Sequence, residues 1–113
     1  MIDFNTFRTL YGEAKECADE ETYIAERGWQ DWMKDFANAD QIADFLRDVY
    51  SMSRNGFQAI LLHFRTLHQM ADLFCMPYST AQKWKTGVTN PTESVLLLMS
   101  YAAVNVRRKN GTD

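Results

Sequence analysis

The chain holds only two prolines, Pro77 and Pro91, and they constrain its fold more than any other feature. Both lie in the stretch TLHQMADLFCMPYSTAQKWKTGVTNP, residues 66–91, and each separates one helix-forming run from the next. Thr66 precedes Gln69 at capping-box spacing and opens a short helix with Met70, Ala71, Leu73 and Phe74 inward. That helix must stop before Pro77, because the ring biases Met76 away from the α region. Pro77 suits the first turn of a following helix, which is expected to run to about Thr86 and to stop at Gly87. Asn90, Pro91 and Glu93 then read as the cap, first position and third position of a last helix.

The rest of the chain keeps the same period. Phe4, Phe7, Leu10, Tyr11 and Ala14 recur at helical spacing behind Asp3, predicting a helix over residues 3–18. A short helix follows in DEETYIAERG, with acidic residues in its first turn and Gly28 as its stop. Trp29, Trp32, Met33 and Phe36 form another apolar stripe. Asn38 and Gln41 then cap a helix that buries Ile42, Phe45, Leu46 and Val49. A further helix is expected over residues 53–64, burying Phe57, Ile60, Leu61 and Phe64, with Gly56 weakening its first turn. The last helix is apolar around most of its circumference, from Val95 through Val104, which implies burial on more than one side. Nothing alternates with period two, so the fold class is all-α.

At 113 residues with 46% hydrophobic and 13% aromatic content, the chain can form one compact domain or a small domain with an extension. The apolar run over residues 95–106 contains Ser100 and Asn105 and is too short to cross a bilayer. The opening MIDFNTFRTL lacks the basic flank and apolar run of a signal peptide, and two cysteines make no disulfide framework, so a cytoplasmic location is expected.

Charge divides the chain. Residues 1–50 carry 12 Asp/Glu against 5 Lys/Arg, a net of −7, whereas residues 51–113 carry 3 against 7, a net of +4. The overall charge of −3 therefore does not exclude nucleic acid as a partner of the second half. We read an acidic helical region over residues 1–52, packed on the rest for want of a flexible linker, a second domain over residues 53–106, and a basic tail over residues 107–113.

A helix-turn-helix needs a small residue where its two helices approach, a tight turn, and a second helix with apolar residues inward and polar residues outward. Ala71 meets the first requirement and Cys75-Met76-Pro77 the second. In YSTAQKWKTG, Ala81 and Trp84 can face the core while Tyr78, Ser79, Gln82, Lys83 and Lys85 project elsewhere.

With these residues the segment resembles the helix-turn-helix of the lambda-repressor-like, Cro-repressor family of bacterial and phage regulators. Thr66, Met70-Ala71, Leu73, Ser79, Thr80, Trp84, Gly87 and Pro91 match the family pattern in order and spacing, over about residues 53–104. The resemblance implies a five-helix bundle behind the acidic region and a DNA-binding transcriptional regulator, in sense a repressor, of phage or mobile-element type. It implies double-stranded DNA as partner, no cofactor, and a homodimer on inverted half-sites. Carried over by position, base contacts fall on Tyr78, Ser79, Gln82 and Lys83, and phosphate contacts on Gln69, Lys85, Thr86 and Asn90. Gln can pair bidentately with adenine and Lys with guanine. The sequence departs from the family where Cys75 replaces a usual Gly, Pro77 a small polar cap, and Lys85 a common Glu.

Other groups point to no chemistry. His63 and His68 have no carboxylate or cysteine at ligand spacing, so no metal is expected. Cys75 reads as a small buried hydrophobe without a neighbouring base. Arg107-Arg108-Lys109 suits a helix C-terminus. The carboxylates are spread as on a solvated surface, and no enzyme is expected. A second reading belongs to another class: an inhibitor or adaptor whose acidic half binds a basic protein surface, in the manner of anti-CRISPR proteins, joined to an autoregulatory DNA-binding domain.

Overall fold

The computed structural model describes residues 2–25 and 27–111, the side chains of 107–111 excepted. It is all-helical, with no strand among the described residues. Seven helices run in order: α1 Phe4–Glu16, α2 Glu20–Ala25, α3 Ala39–Asn55, α4 Phe57–Leu61, α5 Leu67–Leu73, α6 Tyr78–Thr86 and α7 Glu93–Gly111. A 3₁₀ segment, Asp31–Asp35, lies between α2 and α3. No helix among the described residues is long and apolar enough to cross a membrane. The chain divides into two compact units, Met1–Arg54 and Asn55–Asp113.

In the first unit, helix starts are fixed by short acidic or amide side chains. Asp3 Oδ1 accepts from Thr6 N at 2.7 Å, and Asp19 Oδ1 accepts from Thr22 N at 2.8 Å. Both carboxyls are held below their ordinary range, chiefly by those backbone N–H groups. Asn38 Oδ1 accepts from Gln41 N at 2.9 Å, and the Gln41 side chain accepts from Ala37 N at 3.0 Å. The core gathers Phe7, Leu10, Tyr11 and Ala14 of α1 with Phe45, Leu46 and Val49 of α3. Tyr23 of α2 is buried and its hydroxyl donates to the Leu10 carbonyl at 2.7 Å. Burial pushes that hydroxyl's pKa above its ordinary value, an effect the Arg27 guanidinium partly offsets.

Polar side chains also close the C-terminal end of α1. Arg54 donates to the carbonyls of Ala14 and Cys17 and the Tyr50 hydroxyl donates to Cys17 O at 3.3 Å, while Lys15 of α1 in turn donates to Ser53 O, near the end of α3, at 3.4 Å. Each engages a carbonyl at a helix terminus, where the helix's own ladder leaves acceptors over.

Three expectations for this unit change. The helix expected over 3–18 ends at Glu16. The stripe Trp29, Trp32, Met33, Phe36 is not one helix face: only residues 31–35 wind, as 3₁₀, and Trp29 is 72% exposed while Met33 is buried. The separate helix over 53–64 is replaced by the end of α3 at Asn55 and the short α4. The reason is Gly56, whose φ of 58° and ψ of −130° are accessible to glycine and strained for any other residue, so it breaks the helix outright. Phe57 and Ile60 are buried as expected, but Leu61 and Phe64 are only half-buried because the helix ends beneath them.

In the second unit α5 packs on α6, and α4 packs on both α6 and α7. The long α7 begins at Glu93, not at Pro91. Thr92, not Asn90, sits at its start, its carbonyl accepting from Leu96 N at 2.9 Å and its hydroxyl from Val95 N at 3.4 Å. Met99, Ser100, Ala103 and Val104 of α7 are buried, but Val95 and Leu98 are 36% and 57% exposed, so burial does not extend around the whole helix. The backbone of α7 continues through Arg107-Arg108-Lys109, which therefore do not lie beyond the last helix; their side chains fall outside the described residues.

Candidate nucleic-acid interface

The start of α5 is a reciprocal cap. Thr66 Oγ1 accepts from Gln69 N at 3.0 Å, and Gln69 Oε1 accepts from Arg65 N at 2.8 Å. Because the cap fixes the Gln69 oxygen, its amide NH₂ is the end left to meet an anion. Leu67, Met70 and Ala71 are buried. Leu73, expected inside, is 47% exposed, and Phe74 is half-buried with its ring edge-on to Phe64 at 5.9 Å. Leu73 is the last residue of α5 and lies roughly 110° around the helix from the centre of the face that buries Leu67, Met70 and Ala71, while Phe74 is the helix's C-cap.

The turn after α5 is set by Cys75. Its φ of 53° makes it the one non-glycine residue with positive φ among those described. Cys75 N donates to Asp72 O at 3.2 Å and Met76 N to Ala71 O at 3.0 Å, the paired bonds of a Schellman motif. Glycine ordinarily fills this left-handed position, and here cysteine does, at a cost of about 1 kcal/mol. Cys75 is exposed, not the buried hydrophobe expected: the motif turns the chain outward at that residue.

Pro77 stands one residue earlier than its expected place, at the N-cap of α6 with ψ of 140°, and its carbonyl accepts from Thr80 N and Ala81 N at 3.1 and 3.2 Å. No side chain caps the first N–H groups of α6. Gly87, with φ of 82°, ends the helix as its sequence position predicts. The C-terminal end is also tied from α4, where Gln58 Nε2 donates to Lys85 O at 2.9 Å.

Inside α6, Ala81 is fully buried and Trp84 is half-buried, edge-on to Phe57 at 5.7 Å, so both support the helix from behind. Outside, Tyr78, Ser79, Gln82, Lys83, Lys85 and Thr86 are exposed. At 100° per residue they span an arc of roughly 160°. With Leu67 they line a shallow depression of about 470 Å³. Tyr78 stacks flat on His68 of α5, centroids 3.8 Å apart and planes 10° apart, which fixes the ring at the mouth of the helix. Thr86 Oγ1 donates to its own helix, to Gln82 O at 3.0 Å and Lys83 O at 3.4 Å, so in this rotamer its proton is not offered outward. Asn90 is exposed in the loop beyond.

The charge of this face is one-sided. Residues 73–92 contain Lys83 and Lys85 and no Asp or Glu. Among the described residues neither lysine has an ion-pair partner. Arg65, exposed at the start of α5, adds a cation that sequence spacing had not singled out. His68 and Gln58 were likewise missed: nothing in the sequence links residue 68 to 78 or 58 to 85 before the helices are packed. Six of the eight expected contact residues thus share one helix face, Gln69 lies at the start of the neighbouring helix and Asn90 in the loop that follows. Comparison of the chain with protein-family models, curated proteins and solved structures yields no match.

Proposed function

We propose that the chain is a sequence-specific DNA-binding transcriptional regulator, a repressor in sense, whose α5 and α6 act as a helix-turn-helix of the lambda-repressor-like, Cro-repressor type. In this reading α4 to α7, the four helices that lie within the second unit, carry the helix-turn-helix and its support, one fewer than the five-helix bundle that the resemblance implies. The observation that carries the reading is the exposed outer arc of α6, free of carboxylates and propped by buried Ala81 and half-buried Trp84. Such a helix fits the major groove, where side chains from its first turns meet base edges.

Gln82 lies near the middle of that arc and Lys83 at one edge of it, and the two are the base readers, Gln for adenine and Lys for guanine. Tyr78 and Ser79 at the helix start complete the set, with the His68 stack holding Tyr78 in place. Lys85, the Gln69 amide and Asn90 would position the backbone of the duplex, joined by Arg65. Thr86 would join them after its hydroxyl turns from its own helix. A homodimer on inverted half-sites is the assembly this reading implies.

The test is binding to duplex DNA at a stated salt concentration. Lys83→Ala and Gln82→Ala should each weaken specific binding by about 5- to 150-fold and relax sequence preference at one position, the equivalent of 1–3 kcal/mol. Lys85→Ala should weaken all sequences alike and lower the salt slope by about one. Replacing Asp19, Glu20 and Glu21 with neutral residues should leave binding intact or strengthen it. The reverse pattern, with the acidic changes abolishing activity and the α6 changes silent, would favour action through the acidic half.

A further inference from the structure

Two exposed rings meet flat where α5 and α6 face the solvent together. His68, in the first turn of α5, lies on Tyr78, the first residue of α6, with centroids 3.8 Å apart and planes 10° apart. Inner ring pairs of the second unit are built otherwise: Phe57 with Trp84 and Phe64 with Phe74 are edge-on at 5.7 and 5.9 Å, the arrangement apolar rings adopt when they pack. Both His68 and Tyr78 are exposed, so their stack adds little to the core. Its effect is on position: a ring that reads DNA in the proposed function is held by a group that can carry charge.

Histidine is the side chain that ordinarily changes charge between about pH 5 and 8. A proton on His68 has two consequences at this place. It sets a cation against the π face of Tyr78, which tightens the hold on that ring. It also adds a cation to the first turn of α5, next in sequence to Gln69 and three residues after Arg65, both assigned above to the duplex backbone. The charged and titratable groups on the elements around the stack are Arg65 ahead of α5, Asp72 four residues along α5 from His68, and Lys83, Lys85 and the Tyr78 hydroxyl on α6. That set holds one carboxylate against three fixed cations. Duplex phosphates bring negative charge to it, so binding and protonation of His68 favour each other, and by reciprocity the complex tightens as pH falls.

We propose that His68 makes duplex recognition by α6 pH-dependent: in its charged form it clamps Tyr78 and meets a phosphate, so affinity and the base preference carried by Tyr78 both rise from about pH 8 to about pH 5.5. This regulation presupposes that α6 binds DNA, the reading given above. His68 acts through Tyr78 and the duplex backbone and is a positioning residue, not a reader of bases.

The test uses the whole chain and the duplex that it selects from a random pool, at one salt concentration and at about pH 5.5 and pH 8. The parent should gain about three- to tenfold in affinity at the lower pH beyond any gain shown by His68→Phe, which can stack but cannot charge. His68→Gln, equally unable to charge, replaces it if His68→Phe does not fold. His63, half-buried ahead of α5, stays in place in every variant, so a pH response that it sets persists when His68 is changed. Calorimetry in buffers of different ionisation enthalpy should show proton uptake on binding by the parent and less by His68→Phe. His68→Phe should also keep more of the preference at the base read by Tyr78 than His68→Ala does. Without DNA, the ring signals of Tyr78 should move with pH in the parent and stay still in His68→Phe. Equal pH responses of parent and His68→Phe, or equal proton uptake, would overturn this inference and leave DNA binding by α6 intact. Failure of the parent to bind any duplex at either pH would remove the reading of α6, and the inference with it.

Discussion

The two units solve the same problem, satisfying helix termini around a small core, with different means. In the first, long polar side chains reach across to helix carbonyls: Tyr23 to Leu10, Tyr50 and Arg54 to Cys17, Arg27 to Tyr23. Its cations are largely engaged within the unit, Arg27, Lys34 and Arg47 with carboxylates and Arg54 with carbonyls. In the second, positive-φ residues, Gly56, Cys75 and Gly87, turn the chain at helix ends, and side-chain bonds are fewer, from Thr66 and Gln69 at the start of α5 and from Gln58 at the end of α6. Small buried residues, Ala71, Ala81 and Ala103, let helices approach there. Its lysines on α6 have no ion-pair partner among the described residues. The difference teaches where each unit can act on something else. The first offers carboxylates, the second offers cations and amides on a rigid helix.

The comparison can be broken most forcefully from the packing side. Met70 is fully buried in α5. Met70→Ala should cost about 2–5 kcal/mol by thermal or urea unfolding, because the cavity removes the support of α6. If the loss is small, α6 is not held from behind by α5.

In the first unit the hydrogen bond of Tyr23 is the point of attack. Tyr23→Phe should cost about 0.5–1.5 kcal/mol at neutral pH, since the donor to Leu10 O is lost. The parent should also lose stability in alkali. A folded-state pKa raised above the ordinary 10.0 gives a contribution present in full below that pH and lost as pH rises through and beyond it. Urea unfolding from neutral pH upward should show that decline in the parent and a weaker one in Tyr23→Phe. Identical profiles would mean that Tyr23 is not sequestered.

The smallest expected effect is a gain. Cys75→Gly should raise stability by roughly 0.5–1 kcal/mol, because glycine adopts the left-handed turn without strain. A loss instead would show that the cysteine side chain contributes contacts at the turn.

The helix starts that rest on local bonds were readable in the sequence. Asp3, Asn38 and Thr66 cap as their spacing predicts, because each bonds a backbone N–H three residues away and needs no distant partner. Gly87 is readable for the same reason, and so is the split of α6 into buried Ala81 and exposed Gln82 and Lys83. What failed depended on more than local pattern. The apolar run over 53–64 looked continuous, yet the backbone angle at Gly56 divides it. Asn90, Pro91 and Glu93 formed a plausible start, yet Thr92 holds it. Trp29 and Leu73 fit helical stripes by residue type, but Trp29 lies ahead of the 3₁₀ turn and Leu73, the last residue of α5, falls off the face that buries Leu67, Met70 and Ala71. The His68–Tyr78 stack and the Gln58 bond arise only once α4 and α5 pack on the rest, so no spacing could have announced them.

The most direct test of α6 as a reader of DNA is selection of bound duplexes from a random pool at stated salt, with the parent and Lys83→Ala side by side. Enrichment of an inverted repeat by the parent, with Lys83→Ala losing preference at one position in each half-site, is the expected result. Recovery of no preferred sequence, or the same preference from both proteins, would contradict it.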